Sequence, residues 1–376
     1  MQGKVHVSDP QAVEPALNQQ RQASLARAGP GLPPVRATVL NLVAYAGEPA
    51  RADEMAHQAA TLAEHHPLRA ILLGTRPRQR AEEWDIWVWA YCYPALPAQV
   101  ICFEAVQIMA DERSLDRVPA VALSLLRRDL PVMLWWPGDL PMGTALFEHL
   151  MANSDRLVVD SASATDPGRL LRCLATRGRA GRGQCIIGDL NWSRLTPWRE
   201  LTAQFFDPPD CRPCLEWLEH VRLEFACPAG WAESAQACLF AAWLATRLAW
   251  VPAATLWGET TGGAQLNLRR GRQPVVVEFV PLPLEANEQG LHMVALRTGH
   301  PEGQATFTIQ RFPVEARAVV STALPNREVR QRVVPFPAPS PTSLLGGELE
   351  RPGCDLVYQE ALRLAAFFSA QRGAGA

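Results

Sequence analysis

At 376 residues, 48% of them hydrophobic and 20% charged, the chain can bury two cores of ordinary size and is too apolar for wholesale disorder. Its 36 basic and 38 acidic side chains leave a net charge of -2, which excludes a general basic field for nucleic acid or for an anionic membrane. The opening residues, Met1 to Val13, lack the apolar core of a signal peptide, and the nine cysteines are spaced too irregularly for a disulfide framework. A reducing cytoplasm is the expected setting.

Residues 1–35 carry Gln, Ala, Pro and Gly without a sustained apolar period and close on Pro30, Gly31, Pro33 and Pro34, which predicts a flexible tail. From Arg36 onward, short apolar runs alternate with helical segments. ATVLNLVAY, a helix near 53–64, RAILLGT and WDIWVWAYC read as β-α-β-β. The strand AQVICFEAVQIMA, the helix SLDRVPAVALSLLRR and the strand PVMLWW follow, then a helix near 144–151, RLVVD, a helix opening at Asp166-Pro167, QCIIGDL, and a helix near 192–206. Alternation of this kind predicts a mostly parallel sheet flanked by helices over residues 36–208.

The tract DPPDCRPC packs three prolines into eight residues and marks the expected boundary near 208. Beyond it come LEWLEHV, read as a helix, a long helix over 231–248, and period-2 strands such as AQLNLRR, VVVEFV, LHMVALR and ATFTIQRF. These predict a smaller α+β domain with an antiparallel sheet over residues 209–330. A Pro-rich connector, PFPAPSP, and a C-terminal helix from Leu356 complete residues 331–376. The most apolar stretch, Cys238 to Trp257, is broken by Thr246, Arg247 and Pro252, and so reads as a buried helix running into a strand rather than a bilayer crossing.

Enzymes of this architecture need a loop whose backbone N–H groups approach an anion. The glycines at 178–183 and Gly262-Gly263 fit neither the dinucleotide nor the P-loop pattern, and there is no G-x-S-x-G elbow or H-E-x-x-H pair. No cofactor or metal is expected. Cys211 and Cys214 precede a helical pattern beside Arg212, a setting that lowers a thiol pKa; a redox pair and two ordinary thiols both remain open. A zinc site would need His220 and Cys227 as well, at a spacing that matches no standard pattern.

Arg169, Arg172, Arg177, Arg179 and Arg182 could meet a phosphate or an acidic partner, or simply form a solvated face. Asp160, Ser161 and Ser163 follow a strand end where ligands gather in open sheets, yet turn chemistry leading into the Asp166-Pro167 cap is the favoured account of them. His65, His66 and Arg69 could form a polar site or a helix end stopped by Pro67. Among twelve tryptophans, Trp84, Trp87 and Trp89 cluster, and Trp135 and Trp136 end an apolar strand so that alternation sends their rings to opposite sides.

VPAVALSLLRRDLPVMLWWPGD, RLVVDSAS, GDLNWSRLTPWRELTAQFFD and GCDLVYQEALRLAAFF, in that order, resemble the OpcA family of glucose-6-phosphate dehydrogenase assembly proteins, as do RATVLNLVA and HHPLRAILL. The resemblance implies a bacterial, non-catalytic protein that binds glucose-6-phosphate dehydrogenase, favours its active oligomer and supports NADPH production in the oxidative pentose phosphate pathway. It offers Trp135, Trp136, Asp139, Trp192, Arg194, Trp198 and Arg199 as partner-contacting residues, and thioredoxin as a further partner of some members. The alternative is an α/β enzyme or sensor that binds a sugar phosphate or nucleotide.

Overall fold

The computed structural model describes residues 4–28, 38–76, 84–96, 99–177, 185–226, 234–283, 289–299 and 303–373. In chain order the first elements are β1 (Val5–Val7), α1 (Val13–Ala28), β2 (Leu40–Gly47), α2 (Pro49–Ala63), β3 (Leu68–Thr75), β4 (Trp84–Leu96) and β5 (Gln99–Ala110). Then follow α3 (Val118–Ser124), β6 (Val132–Pro137), α4 (Ala145–Ala152), β7 (Arg156–Asp160), α5 (Pro167–Arg177), β8 (Ile186–Asp189), α6 (Leu190–Arg194) and α7 (Thr196–Gln204). The remainder is β9 (Leu218–Ala226), α8 (Ala235–Arg247), β10 (Val251–Thr260), β11 (Gly263–Arg270), β12 (Gln273–Leu282), β13 (Gly290–Thr298), β14 (Thr306–Phe312), β15 (Arg317–Ala323), β16 (Arg330–Pro335), α9 (Pro341–Glu350) and α10 (Leu356–Gly373). The protein is α/β, with two mixed eight-stranded sheets. Among the described residues no helix is long and apolar enough to cross a membrane.

The first compact unit comprises residues 1–160, 180–188 and 340–354. Its sheet runs β1-β4-β5-β3-β2-β6-β7-β8. From β5 to β8 this is the 3-2-1-4-5-6 order of a doubly wound dinucleotide-binding sheet. β2 is parallel to β3 and β6, β3 to β5, and β6 to β7, while β4 and β1 add an antiparallel edge. β2 and β3 read LNLVAYAG and LRAILLGT because strands covered on both faces need apolar side chains in both directions. α2 lays Ala52, Met55, Ala56, Ala59 and Ala63 at helical spacing onto its buried side.

Arg69 breaks that apolar rule near the start of β3, with no exposed surface. Its guanidinium is held by Glu104 of β5, with Nη2 donating at 2.7 Å and Nε at 3.1 Å; Nη1 donates to the Leu125 carbonyl at 2.8 Å, and Glu14 of α1 closes the set. Arg127 donates a further bond to Glu104 at 3.0 Å. Burial alone would raise the Glu104 pKa, but the charges and hydrogen bonds of Arg69, then of Arg127, outweigh it and hold the carboxyl below its usual range.

The second unit comprises residues 161–179, 189–339 and 355–376. Its sheet runs β10-β11-β12-β9-β13-β14-β15-β16, antiparallel throughout except for β12 beside β9. Period-2 alternation divides the faces. Leu266, Val277, Leu223, Val294, Ile309 and Val320 are buried on one face. Against that face, Phe205 and Phe206 beyond α7 meet Phe307, and the Trp257 indole donates to the Phe368 carbonyl of α10 at 3.0 Å. Gln265, Glu278, Arg222, Ala295, Thr308 and Ser321, in register across the sheet, stay partly exposed on the other face.

Four expectations are corrected. Residues 1–35 are not a flexible tail where they are described: β1 pairs with β4, and α1 buries Val13, Leu17 and Ser24, a stripe too narrow to stand out in a Gln-rich helix. The compact units do not divide at 208, because the chain leaves and re-enters each of them, and the second unit is not the smaller. LEWLEHV begins as a 3-10 turn and continues into the central strand β9, where Val221, Leu223 and Phe225 are buried at a strand's period of two. Cys92 and Cys102 are disulfide-bonded, being directly opposed across β4 and β5 with Cα atoms 4.0 Å apart. A ten-residue separation carries no sequence signal for that pairing.

Removing one partner of a buried ion pair strands the other, so Glu104→Ala should destabilise the protein by about 3–5 kcal/mol in chemical denaturation. The wild type should hold this contribution above the unfolded Glu pKa near about 4.3 and lose it as the pH falls through the lower folded value. Glu104→Ala should flatten that acid limb, and an unchanged limb would contradict the assignment.

Candidate functional site

In a doubly wound sheet, ligands lie beyond the carboxyl ends of the strands, where the strand order reverses. Here that point is the junction of β2 and β6, which run parallel from Asn41 beside Val132 to Ala44 beside Trp135. The Trp136 ring stacks on Tyr45 at the end of β2, with centroids 4.0 Å apart and planes 14° apart. It meets Phe147 of α4 edge-on at 5.2 Å, and its Nε1 donates to the Asp139 carbonyl at 3.1 Å. Only 1% of Trp136 is exposed, and burial raises the Tyr45 pKa.

The turn that would cradle a pyrophosphate is altered as well. Gly47 supplies the left-handed bend (φ 77°), but Glu48 stands at the N-cap of α2 without a capping bond, and Pro49 begins the helix. An anion there would face a carboxylate and find one N–H fewer. Beside this turn a cleft of about 640 Å³ opens at the ends of β2, β3 and β5, lined by Glu48, Thr75, Arg76, Asp111, Glu112 and Arg113. Three carboxylates share it with two guanidiniums, and Arg76 already faces Asp85 at 3.6 Å.

A buried polar network occupies the second unit. Asp189 has no exposed surface and accepts from the Ser161 and Asn191 amides at 3.0 and 2.9 Å and from the Tyr358 hydroxyl at 3.5 Å. Asn191 donates to Ser161 Oγ at 3.0 Å and accepts from Gln236, which itself accepts from the Leu291 amide. Next to it, Trp192 donates to Asp355 at 2.9 Å while the Arg199 guanidinium lies 3.7 Å above the indole ring. Every member serves another protein group. The arrangement ties α6, α8 and α10 together through Asn191, Gln236 and Tyr358 around Asp189.

The sequence-predicted residues fall as follows. Trp135, Trp136, Trp192 and Trp198 are all buried, which corrects their reading as partner contacts: strand alternation and helix packing give every one of these indoles a core to fill. Asp139 is exposed, and Arg194 and Arg199 are half-buried. Trp87 meets His6 edge-on, and Lys4 lies over the buried Trp89. Arg169, Arg172 and Arg177 sit on α5, whose first turn is capped by Asp166 accepting from the Arg169 amide at 2.7 Å; Arg179 and Arg182 lie outside the described residues. His66 faces Glu350 at 3.5 Å.

The lowered thiol pKa expected of Cys211 and Cys214 is corrected. Burial raises both, against a weaker pull from Arg330 on Cys211, and both are free thiols. Neither thiol has the lowered pKa that the sequence setting suggested. His220 faces Glu278, and burial followed by the Arg297 charge lowers its pKa; Cys227 lies outside the described residues. Among the described residues no group of three or more His, Cys, Asp or Glu could hold a metal ion. Sequence reasoning missed Tyr45 and Gln236, and singled out none of Asp189, Asn191, Asp355 and Tyr358, although the GDLN and GCDLVY blocks contain them.

Two family models tile most of the chain, both describing a glucose-6-phosphate dehydrogenase subunit: residues 59–176 match its N-terminal domain, and residues 186–362 match its C-terminal domain. The chain belongs to the OpcA glucose-6-phosphate dehydrogenase assembly family. An OpcA relative from Synechocystis sp., named "Putative OxPP cycle protein OpcA", is 28% identical over 81% of this chain and 64% of its own length. A relative of the same name from Nostoc punctiforme is 26% identical over 74% of this chain and 60% of its own. The chain thus spans under two thirds of the length of these two relatives. Among solved structures, a Clostridium difficile dehydrogenase aligns with a TM-score of 0.44 and 6% identity, covering 90% of this chain and 99% of its own. The NAD(H)-bound myo-inositol dehydrogenase of Lactobacillus casei gives 0.42 and 10%, covering 90% and 95%. Likeness at that level bears on neither activity nor ligand.

Trp136→Ala should cost about 3–5 kcal/mol, as truncation of a buried aromatic does, whereas Val314→Ala, at a site 89% exposed, should stay within about 0.5 kcal/mol. Iodoacetamide at neutral pH should modify Cys211 and Cys214 more slowly than a free model thiol, followed by mass spectrometry; faster modification would restore the redox reading.

Proposed function

We propose that this chain is a non-catalytic partner of glucose-6-phosphate dehydrogenase, binding the enzyme and favouring its active oligomer so that the oxidative pentose phosphate pathway delivers NADPH. The matches to both domains of the dehydrogenase-associated family support the partner. The observation that carries the non-catalytic reading is the Trp136 indole on Tyr45, filling the junction of β2 and β6, beside an anion cradle that presents Glu48 and Pro49.

The mechanism needs only linkage. A protein that binds the enzyme's high-affinity conformation more tightly than its low-affinity one shifts the population by that difference. A coupling of about 1–3 kcal/mol changes apparent substrate affinity about 5- to 150-fold. Adding the purified chain to the dehydrogenase of the same organism should lower the half-saturation for glucose 6-phosphate by a factor in that range, or shift the enzyme to a larger oligomer on a sizing column. No change in either, with no co-elution, would overturn the proposal.

A second reading, a sensor of sugar phosphates or nucleotides, draws on the cleft at the ends of β2, β3 and β5. A ligand at 100 times its dissociation constant should stabilise the chain by about 2.7 kcal/mol, so a thermal-shift panel separates the two readings. Silence across the panel is the outcome expected here.

A further inference from the structure

The sheet of the second unit ends on β16, and among the described residues no strand lies beyond it. The Phe336 amide donates to the Ala316 carbonyl at 2.7 Å, which fixes the alternation of the β15–β16 ladder. Arg330, Arg332 and Val334 turn their backbone groups to Thr322, Val320 and Ala318, while Gln331, Val333 and Pro335 turn theirs outward. Pro335, with no N–H to give β15, fits that pattern. All three outward residues are exposed, so the edge offers the N–H groups of Gln331 and Val333 and the carbonyls of Gln331, Val333 and Pro335 to a further strand. We infer that β16 is a docking edge that takes an extended segment of another protein, with acidic and apolar side chains in alternation, as a ninth strand of this sheet. The inference goes beyond the proposed function and does not depend on it.

The acidic half of that chemistry comes from the inner face. Arg330 continues the row of Phe307 and Thr322, and Arg332 the row of Ile309 and Val320, so both arginines lie on the side that carries α7. There they line a cleft of about 380 Å³ with Gln204, Phe205 and Asp207. Arg332 donates to the Gln204 side chain at 2.6 Å, and among the described residues neither arginine forms an ion pair. Asp207 is the one carboxylate in this lining, and Asp210 beside it is taken up by Arg327, so the cleft keeps a positive charge. The two guanidiniums stand two residues apart, about 6.6 Å along the strand, which is also the repeat of alternate side chains on any strand added alongside. Residues of that strand facing Arg330 and Arg332 would fall in non-hydrogen-bonded pairs, where opposed side chains come closest.

The apolar half comes from the opposite face. Val333 stands there beside its partner Val319 and is 63% exposed. The residues of an added strand that exchange backbone bonds with Gln331 and Val333 fall on this face, and an apolar side chain among them would cover Val333. In strand addition of this kind the main chain supplies affinity and the alternate side chains supply selectivity.

A second copy of this chain does not fit the edge. Charged side chains on an edge strand oppose its pairing with itself, and a second β16 would bring arginines to arginines. The other sheet edges of a second copy offer no alternate carboxylates: β1 reads VHV, and β8 reads IIGD with Asp189 buried. β10 reads VPAATLWGET, shifts register between Pro252 and Trp257, and has its Glu259 held by Arg372 at 3.2 Å. The acidic segment therefore belongs to a different protein.

Fluorescence anisotropy with labelled peptides tests this. The probes are an alternating Val-Glu peptide, its Val-Lys counterpart, and the Val-Glu peptide N-methylated at every Val, which keeps the charge and loses the ladder. The wild type should bind the Val-Glu peptide at least about 10-fold more tightly than either of the others, the scale of a lost hydrogen bond or charge contact. Arg330→Glu combined with Arg332→Glu should reverse the preference between the Glu and Lys peptides. Val333→Pro removes an outward N–H without touching the bonds to β15, so it should melt like the wild type and bind the Val-Glu peptide about 10-fold more weakly; if it melts lower, the peptide comparison on the wild type still decides. Equal binding of the methylated peptide would mean charge attraction without an added strand, and would overturn the inference. So would a wild type that binds no peptide or binds the Glu and Lys peptides alike, and so would a wild-type oligomer that Val333→Pro dissolves while the Val-Glu peptide goes unbound, since the edge would then belong to a second copy.

Discussion

The stack of Trp136 on Tyr45 fills the carboxyl-end crevice of the first unit's sheet. Strand order and parallel pairing build a dinucleotide-binding sheet, and the crevice at the carboxyl ends of β2 and β6 is where such a sheet receives its ligand. An indole that is 1% exposed, packed against a tyrosine on one side and a phenylalanine on another, turns that crevice into core. The sheet's stability comes from β2, β3 and β6, buried on both faces, rather than from anything held at their ends.

The turn after β2 bears Glu48 and Pro49 where a phosphate would sit in a dinucleotide-binding sheet. The polar interiors of both units are committed to cohesion. Arg69 and Glu104 lock α1 and β5 onto β3, and Asp189, Asn191 and Gln236 lock strand ends onto helices.

Much of this fold was legible in the sequence. Continuous apolar runs such as RAILLGT and PVMLWW announced parallel strands, and the alternation in AQLNLRR and VVVEFV announced the half-exposed sheet. What escaped has physical reasons. α1 buries only a narrow stripe and depends on Glu14 reaching Arg69, a contact 55 residues away in sequence that no local pattern records. β9 looked helical because Leu215, Leu218 and Val221 satisfy a helix's spacing, and only its place between β12 and β13 settles the matter. The site was legible in part: the Trp135-Trp136 tract marked the right strand end, but the sequence could not say that Tyr45, far upstream in the chain, would cover the second ring, or that both rings would be buried.

The central claim is that a dinucleotide-type sheet has been closed and the protein works by holding an enzyme. Sedimentation velocity of the chain with NADP, and then with its cognate dehydrogenase, tests this most directly. The account predicts that the chain alone carries no dinucleotide absorbance with its boundary, and that it forms a defined complex once the enzyme is added. A chain that sediments with bound NADP and makes no complex would contradict it.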